Sequence, residues 1–156
     1  MRRSPGTQSY TVDPDSPASA VAAVYRVVLE VMRDRLQVFY IDLLSDSPWP
    51  PEALGPLAAL GPRAPQRRRF FGLGKLERGI TVELDLSNDD DMTFALALVP
   101  WTISAEGWSK DDVLEYAVSD TGTSASFELT PADLARVIQR LGDEGVDPRT
   151  LEILPD

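Results

Sequence analysis

The chain contains no cysteine and no histidine, and these two absences exclude several kinds of chemistry. Without cysteine there is no disulfide and no thiolate nucleophile, and without either residue there is no Cys/His zinc site. A Ser-His-Asp triad and imidazole acid–base catalysis are excluded for the same reason. The chain also lacks any apolar run near the about 20 residues that cross a bilayer, and no signal-peptide core follows its basic start. We therefore expect a cytoplasmic protein that does not use a membrane.

What the chain does have is an ordinary globular composition, with 43% hydrophobic and 26% charged residues over 156 positions. That length is typical of one domain and is enough to bury a core without disulfides or metals. We predict a flexible N-terminal arm at residues 1–15 and a single domain at 16–156. Six prolines and two glycines between residues 45 and 66 predict a long loop in this domain, with room for a short helix at Glu52–Leu60.

Two segments carry the signals of a helix start. Ser16-Pro17 precedes an apolar stripe that repeats at helical spacing to about Asp34, although the valines in this stretch leave a strand as the alternative. Thr130-Pro131 precedes the other segment, where Thr130 is expected to cap the helix and Asp133 to lie near the positive end of its dipole. These segments are the two main predicted helices.

Alternating side chains and turn residues predict the strands. The apolar and aromatic run Leu36–Leu44 is expected to be a mostly buried strand. Residues 80–86 alternate apolar and polar side chains, and we expect them to form a hairpin with a return strand at Thr93–Val99. A second hairpin is predicted from Asp112–Ser119 and Ser124–Leu129, on either side of a Gly-containing turn.

The remaining segments carry weaker signals. Trp101–Lys110 is expected to be an irregular or short helical link with Trp101 in the core, and Leu151–Leu154 to be an edge strand or a packed tail. The order helix, strand, hairpin, hairpin, helix predicts an α+β fold rather than alternating βαβ units. We expect an antiparallel sheet of four to five strands with the two main helices packed on one face.

The net charge of −10 is divided unevenly along the chain. Residues 1–78 hold 11 basic and 8 acidic residues, whereas residues 79–156 hold 4 basic and 17 acidic residues. Binding of a nucleic-acid backbone requires Lys and Arg to replace its counterions, so the acidic half disfavours a nucleic-acid partner. The same half would attract a basic surface.

The candidate partner-binding residues are the carboxylates of the first predicted hairpin and one tryptophan. They are Glu83, Asp85, Asp89, Asp90, Asp91 and Trp108. Exposed carboxylates attract cationic groups, and tryptophan is enriched at interface hot spots. The alternatives are a solvated acidic surface that keeps the protein monomeric and a tryptophan that packs in the core.

Three other motifs are incomplete. The Asn88–Asp91 cluster lacks the ligand spacing and the glycine of an EF-hand loop, so we predict no metal site. Gly72–Lys75 lacks the glycine spacing and the following hydroxyl residue of a phosphate-binding loop, and we predict no cofactor. Arg67, Arg68 and Arg69 precede two phenylalanines and are the candidate anion contacts, with charge balance inside the molecule as the alternative.

The favoured function is a non-enzymatic acidic module that engages a basic protein partner through the strands of residues 79–128, as an inhibitor, an immunity protein or a chaperone would. One alternative is a small-molecule-binding protein or carboxylate-dependent enzyme with a pocket between sheet and helices. Such an enzyme needs a pair of carboxyl groups in different environments. Its candidate carboxylates are Glu83, Asp85, Asp112, Glu115 and Glu128. Another alternative is a structural subunit that forms a homodimer through a sheet edge.

Overall fold

The computed structural model describes residues 3–64, 66–68, 76–78 and 81–155. Its strands are β1 (Gln8–Val12), β2 (Leu36–Asp42), β3 (Gln66–Arg68), β4 (Leu76–Arg78), β5 (Thr81–Leu84), β6 (Ser104–Ser109), β7 (Leu114–Ser119), β8 (Ser124–Leu129) and β9 (Leu151–Ile153). Seven of them form one antiparallel sheet in the order β5-β2-β6-β7-β8-β1-β9, and β3 pairs with β4 in a separate ribbon. The predicted α+β class is confirmed, but the sheet is larger than the four to five strands expected.

Four α-helices lie in the described part of the chain, where two main ones were expected. They are α1 (Ala18–Met32), α2 (Pro51–Leu60), α3 (Asp89–Leu98) and α4 (Pro131–Asp143). The predicted start of α4 is confirmed in detail, because the Thr130 hydroxyl accepts from the Asp133 amide and the Asp133 carboxylate accepts from the Thr130 amide. Within the described residues no helix is long and apolar enough to span a membrane.

The core lies between the helices and one face of the sheet. Helix α1 supplies a nearly continuous buried stripe from Val24 to Met32. Every second residue of the strands meets it, and the aromatic members of this set stack on one another. Tyr116 packs against Phe127 and Phe39 with ring centroids 5.0 and 5.9 Å apart, and Tyr25 of α1 meets the edge of Phe127 at 6.1 Å. Burying each such side chain stabilises the fold by about 1.5–3 kcal/mol.

The predicted return strand at Thr93–Val99 is wrong, because these residues belong to helix α3. The side chain of Asn88 accepts from the amides of Asp90 and Asp91, and three aspartates occupy the first turn, where the helix dipole favours negative charge. The acidic segment predicted to be a hairpin turn is therefore a helix N-terminus. Strand β5 pairs with β2 instead, and its buried residues Val82 and Leu84 confirm the alternation predicted there.

The expected link at Trp101–Lys110 is also wrong, since it contains strand β6 between β2 and β7. Its core-facing positions are Ala105 and Gly107, which give a weak strand signal because they are small. A Cβ at Gly107 would lie 2.8 Å from Leu36 Cδ1, so the Leu36 side chain packs directly against the backbone at this position. Trp101 precedes the strand and is 37% exposed, rather than lying in the core as predicted.

The N-terminal arm predicted at residues 1–15 contains a strand of the main sheet. The extended piece expected within it is β1, which pairs with β8 on one side and β9 on the other. Both partners come from the last third of the chain, so the local sequence carries no sign of this pairing. Strand β9 forms the sheet edge expected at Leu151–Leu154.

Candidate partner-binding face of the sheet

The sheet has a second face that points away from the helices, and we call it the open face. Its positions alternate along each strand with the buried positions of the core. On strands β5, β2, β6, β7 and β8 most of these residues are partly or fully exposed, whereas Glu115 and Glu128, which alternate onto the same face, are buried. The exposed residues make up the open face. They are Thr81, Glu83, Val38, Tyr40, Asp42, Ser104, Glu106, Trp108, Ala117, Ser119, Ser124 and Ser126.

Strand register brings two glutamates to either side of one tyrosine on this face. Tyr40 of β2 pairs with Glu83 of β5 on one side and with Glu106 of β6 on the other. Adjacent strands lie about 4.8 Å apart, so the two glutamate Cα atoms are roughly 10 Å apart across Tyr40. Beyond Glu106 the same row continues into Ala117 and Ser126. Their side chains are small and project little from the sheet, so this part of the face is accessible.

Trp108 lies on the same face, two positions along β6 from Glu106. Its indole Nε1 donates to Glu106 Oε2 at 3.2 Å, which orients both side chains. Trp108 pairs with Val38, so it is a diagonal neighbour of Tyr40 on the next strand, within reach of an aromatic side chain. Together with Asp42, which accepts from Thr81 Oγ1 at 2.6 Å, the face presents three carboxylates and two aromatic rings.

Among the described residues, the carboxylates of this face have no basic side chain beside them. In the part of the chain that the structure describes, Glu83, Glu106 and Asp42 form no ion pair with a Lys or Arg side chain, and the open-face positions carry no basic residue. Aromatic rings beside carboxylates can hold a guanidinium or ammonium group by cation–π attraction together with charge-assisted hydrogen bonds.

The other predicted partner-binding residues lie beyond the end of β5. Asp85, Asp89 and Asp90 are exposed there, and Asp85 accepts from Ser87 while Asp89 pairs with Arg33 at 2.7 Å. They extend the acidic surface from the open face to the start of α3. Of the six residues, the structure therefore brings Glu83 and Trp108 to one sheet face and places these three at its margin.

Asp91 differs from the other five because it is 6% exposed and is held inside the fold. Arg63 donates to it at 2.6 and 3.0 Å, and the amide of Asp85 donates at 2.9 Å. The hydrogen bond from Arg63 holds the pKa of the Asp91 carboxyl below its ordinary value and raises that of the Arg63 guanidinium. Asp91 thus joins the 3-10 turn after α2 to helix α3, and its carboxylate is not presented to a partner.

The predicted carboxylate pair for catalysis finds its closest counterpart in two buried glutamates. Glu115 and Glu128 are 4% and 6% exposed. Arg35 donates to Glu115 from Nε and Nη2, and Ser4 also donates to it, whereas Glu128 accepts from Thr7 and Ser9. Each carboxylate is thereby engaged by donors from within the chain. Of the remaining candidates, Glu83, Asp85 and Asp112 are exposed.

The candidate anion contacts are placed only in part. Arg67 and Arg68 are positions in strand β3, and Arg69 lies outside the described residues. The contact of this triplet with an anion stays a prediction. No group of His, Cys, Asp and Glu suited to a metal ion occurs among the described residues.

Two residues of the open face, Tyr40 and Glu106, do not appear among the residues predicted from the sequence. Tyr40 lies in an apolar run that indicates a buried strand, and Glu106 lies in the segment expected to be a link. A strict alternation around Phe39 and Ile41, which are fully buried, is the signal that could have placed Tyr40 on the opposite face.

No family model matches the chain, and neither a curated protein nor a solved structure matches it significantly.

Proposed function

We propose that this protein is a non-enzymatic binding module whose open face engages a basic protein partner. The observation that carries the proposal is the row Glu83–Tyr40–Glu106 with Trp108 beside it. It combines exposed aromatic surface on rigid strands with carboxylates that pair with no Lys or Arg side chain among the described residues. Sites built on strands hold their side chains more precisely than sites on loops.

The charge supports recognition of a basic surface. The strands of the acidic half, from β5 to β8, supply most of this face, and the whole chain carries a net charge of −10. A field of one sign speeds the encounter with an oppositely charged partner, and the two glutamates would then accept hydrogen bonds from its Arg or Lys side chains. Arginine fits best, because its planar group can stack on an indole or phenol ring while it contacts a carboxylate.

The edge of the sheet beside β5 is less suited to a partner that adds a strand. Arg63 donates to the carbonyl of Glu83 at 3.3 Å, and its ion pair with Asp91 holds it there. The side chain covers one of the outward-pointing carbonyl groups that strand addition would use. Binding across the face leaves this contact intact, so we favour the face over the edge.

The test uses hexa-arginine as the probe and removes two charges from each of two surfaces. In the Glu83→Gln/Glu106→Gln variant the open face loses its flanking carboxylates, whereas Glu52→Gln/Asp143→Asn removes two exposed carboxylates from helices α2 and α4. We expect the first variant to bind hexa-arginine about tenfold more weakly and the second to change the affinity by less than about threefold. Calorimetry gives the affinities, and amide chemical shifts locate the peptide.

Equal losses in the two variants would contradict the proposal, since they would reflect net charge alone. Shift changes that avoid Tyr40 and Trp108 would contradict it as well. The affinity should also fall as salt is added, because exposed charges are screened over about 10 Å at 0.1 M ionic strength.

A further inference from the structure

A concave surface lies on the helical side of the sheet, away from the open face. It is a pocket of about 440 Å³ between the first turns of α1, the end of β1 and the loop that follows α3. This volume is in the range of small-molecule sites, about 300–1,000 Å³. Its walls are largely apolar and include Val12, Val21, Ala22, Tyr25, Pro100 and Trp101. We call it the Trp101 pocket.

Trp101 makes this pocket unusual, because a large aromatic side chain is 37% exposed at its wall. Trp101 lies outside the continuous core, so buried side chains do not enclose its indole on all sides. The exposed indole offers a ligand both apolar contact area and a π-face that attracts a cation.

The segment that carries Trp101 is held against the turn at Asp120–Gly122 by hydrogen bonds. The amides of Asp120 and Thr121 donate to the carbonyls of Ile103 and Thr102, each at 3.1 Å. The Tyr25 hydroxyl donates to the Gly122 carbonyl at 2.6 Å, and a Cβ at Gly122 would lie 2.7 Å from the Pro100 carbonyl oxygen. The pocket is therefore formed before a ligand arrives, which reduces the ordering cost of binding.

An acidic basin of about 860 Å³ continues from this pocket, and the two share Asp13 and Ser16. Two of the basin's carboxylates are paired, Glu144 with Arg26 at 2.5 Å and Asp147 with Arg149 at 3.0 Å. Within the described residues, Asp15 and Glu152 form no ion pair. Among the described residues, an apolar pocket with one exposed indole thus opens toward a basin with more acidic than basic side chains.

We propose that the Trp101 pocket binds a small amphipathic organic cation. The apolar part of the ligand would lie against Trp101, and its ammonium group would point toward Asp13, Asp15 and Glu152. The acidic basin repels anions, so these should bind poorly. Strongly polar ligands should also bind poorly, because the apolar walls would remove their water without offering hydrogen bonds in return. This site is independent of the open face, because helix α1 contributes to the pocket and the open face points away from the helices.

Three probes of similar shape test the ligand class. 2-Phenylethylammonium, 2-phenylethanol and phenylacetate differ mainly in charge. Titration monitored by amide chemical shifts should place the ammonium probe at Trp101 and Val21, with an affinity about three- to tenfold higher than that of the alcohol and little binding of phenylacetate. Equal binding of the three probes, or shifts that avoid these two residues, would overturn the proposal.

Substitutions of Trp101 and of the basin carboxylates separate the contribution of the indole to the affinity from that of the negative charge. Trp101→Ala should lower the affinity for the ammonium probe about tenfold. Trp101→Phe should lower it less, because an aromatic face remains. Asp15→Asn/Glu152→Gln should remove the preference for ammonium over alcohol while keeping the affinity for the alcohol. The matched control is Asp46→Asn/Asp111→Asn, which removes two exposed carboxylates that lie outside the pocket, the basin and the open face. If the control variant lost its preference for ammonium over alcohol to the same extent, the assignment of the ammonium group to Asp15 and Glu152 would be refuted. This outcome is distinguishable from a failure of hexa-arginine to bind the open face, because the two experiments use different probes.

Discussion

Replacing Arg35 with methionine removes a guanidinium that contacts two buried carboxylates. Arg35 donates to Glu115 Oε2 at 3.0 and 2.7 Å, pairs with Asp133, and donates to the carbonyl of Glu128 at 2.6 Å. Glu115 and Asp133 are each 4% exposed, so water cannot readily replace the lost donor. Among the described residues, Glu115 would keep the Ser4 hydroxyl as its side-chain donor.

The size of the effect follows from this geometry. Removing one partner of a buried ion pair costs about 3–5 kcal/mol, because the other charge stays buried without compensation. Asp133 keeps its contacts with Arg136 at 2.8 Å and with the Thr130 amide, which places the expected loss near the lower end, about 3 kcal/mol. Typical domains have an unfolding free energy of about 5–15 kcal/mol, so the variant should still fold. Its thermal midpoint should fall by roughly 6–12 °C.

Urea unfolding followed by circular dichroism measures the loss, with Arg149→Met as the matched control. The Arg149 side chain is 91% exposed and pairs with Asp147, which is 53% exposed, so the control should lose less than about 0.5 kcal/mol. The double variant Arg35→Met/Glu115→Met removes the stranded carboxylate and should recover at least about 1 kcal/mol. A loss below about 1 kcal/mol for Arg35→Met, or no recovery in the double variant, would refute this reasoning.

Two further predictions concern an acidic ion pair and a glycine. The Arg63 hydrogen bond lowers the pKa of Asp91, so the stability from this pair is present at neutral pH and is lost as the pH falls through the folded-state pKa. Asp91→Asn should therefore lower the unfolding free energy more at about pH 7 than at about pH 3 in urea titrations, and equal losses would contradict this. Gly122→Ala should lose about 2 kcal/mol or more by the same assay, because φ is +83° and the new Cβ meets Pro100. Gly145→Ala, at φ +73° with nothing within 4 Å of the new Cβ, should lose about half as much, and similar losses in both would show that the contact has no effect.

The elements that the sequence predicted correctly depend on local signals. Thr130-Pro131 fixes the start of α4 because the cap and its partner Asp133 are three residues apart. The β7–β8 hairpin also depends on residues that are close in sequence, because a short turn at Asp120–Gly122 joins two strands that pair with each other. Such signals need no knowledge of the rest of the fold.

The sequence was misleading where two local patterns compete. Residues 93–98 form an apolar run after turn residues, which indicates the second strand of a hairpin, but the Asn88 cap and the dipole of the first turn favour a helix. The same segment also buries Met92, Ala95 and Leu98, which lie at helical spacing. An apolar run this short fits either a strand or a helix, and packing against α2 and β5 favours the helix.

The candidate site is the part of the molecule that only the tertiary structure decided. Composition alone determined that the protein has no Cys or His chemistry and that its second half is acidic. It could not show that Glu83 and Glu106 flank Tyr40, because these residues lie on three strands that are far apart in the chain and adjacent in the sheet. The packing of buried side chains from distant parts of the chain determines which strands pair and in which register. Because neighbouring residues of a strand lie on opposite faces, this register also determines which residues meet on the open face.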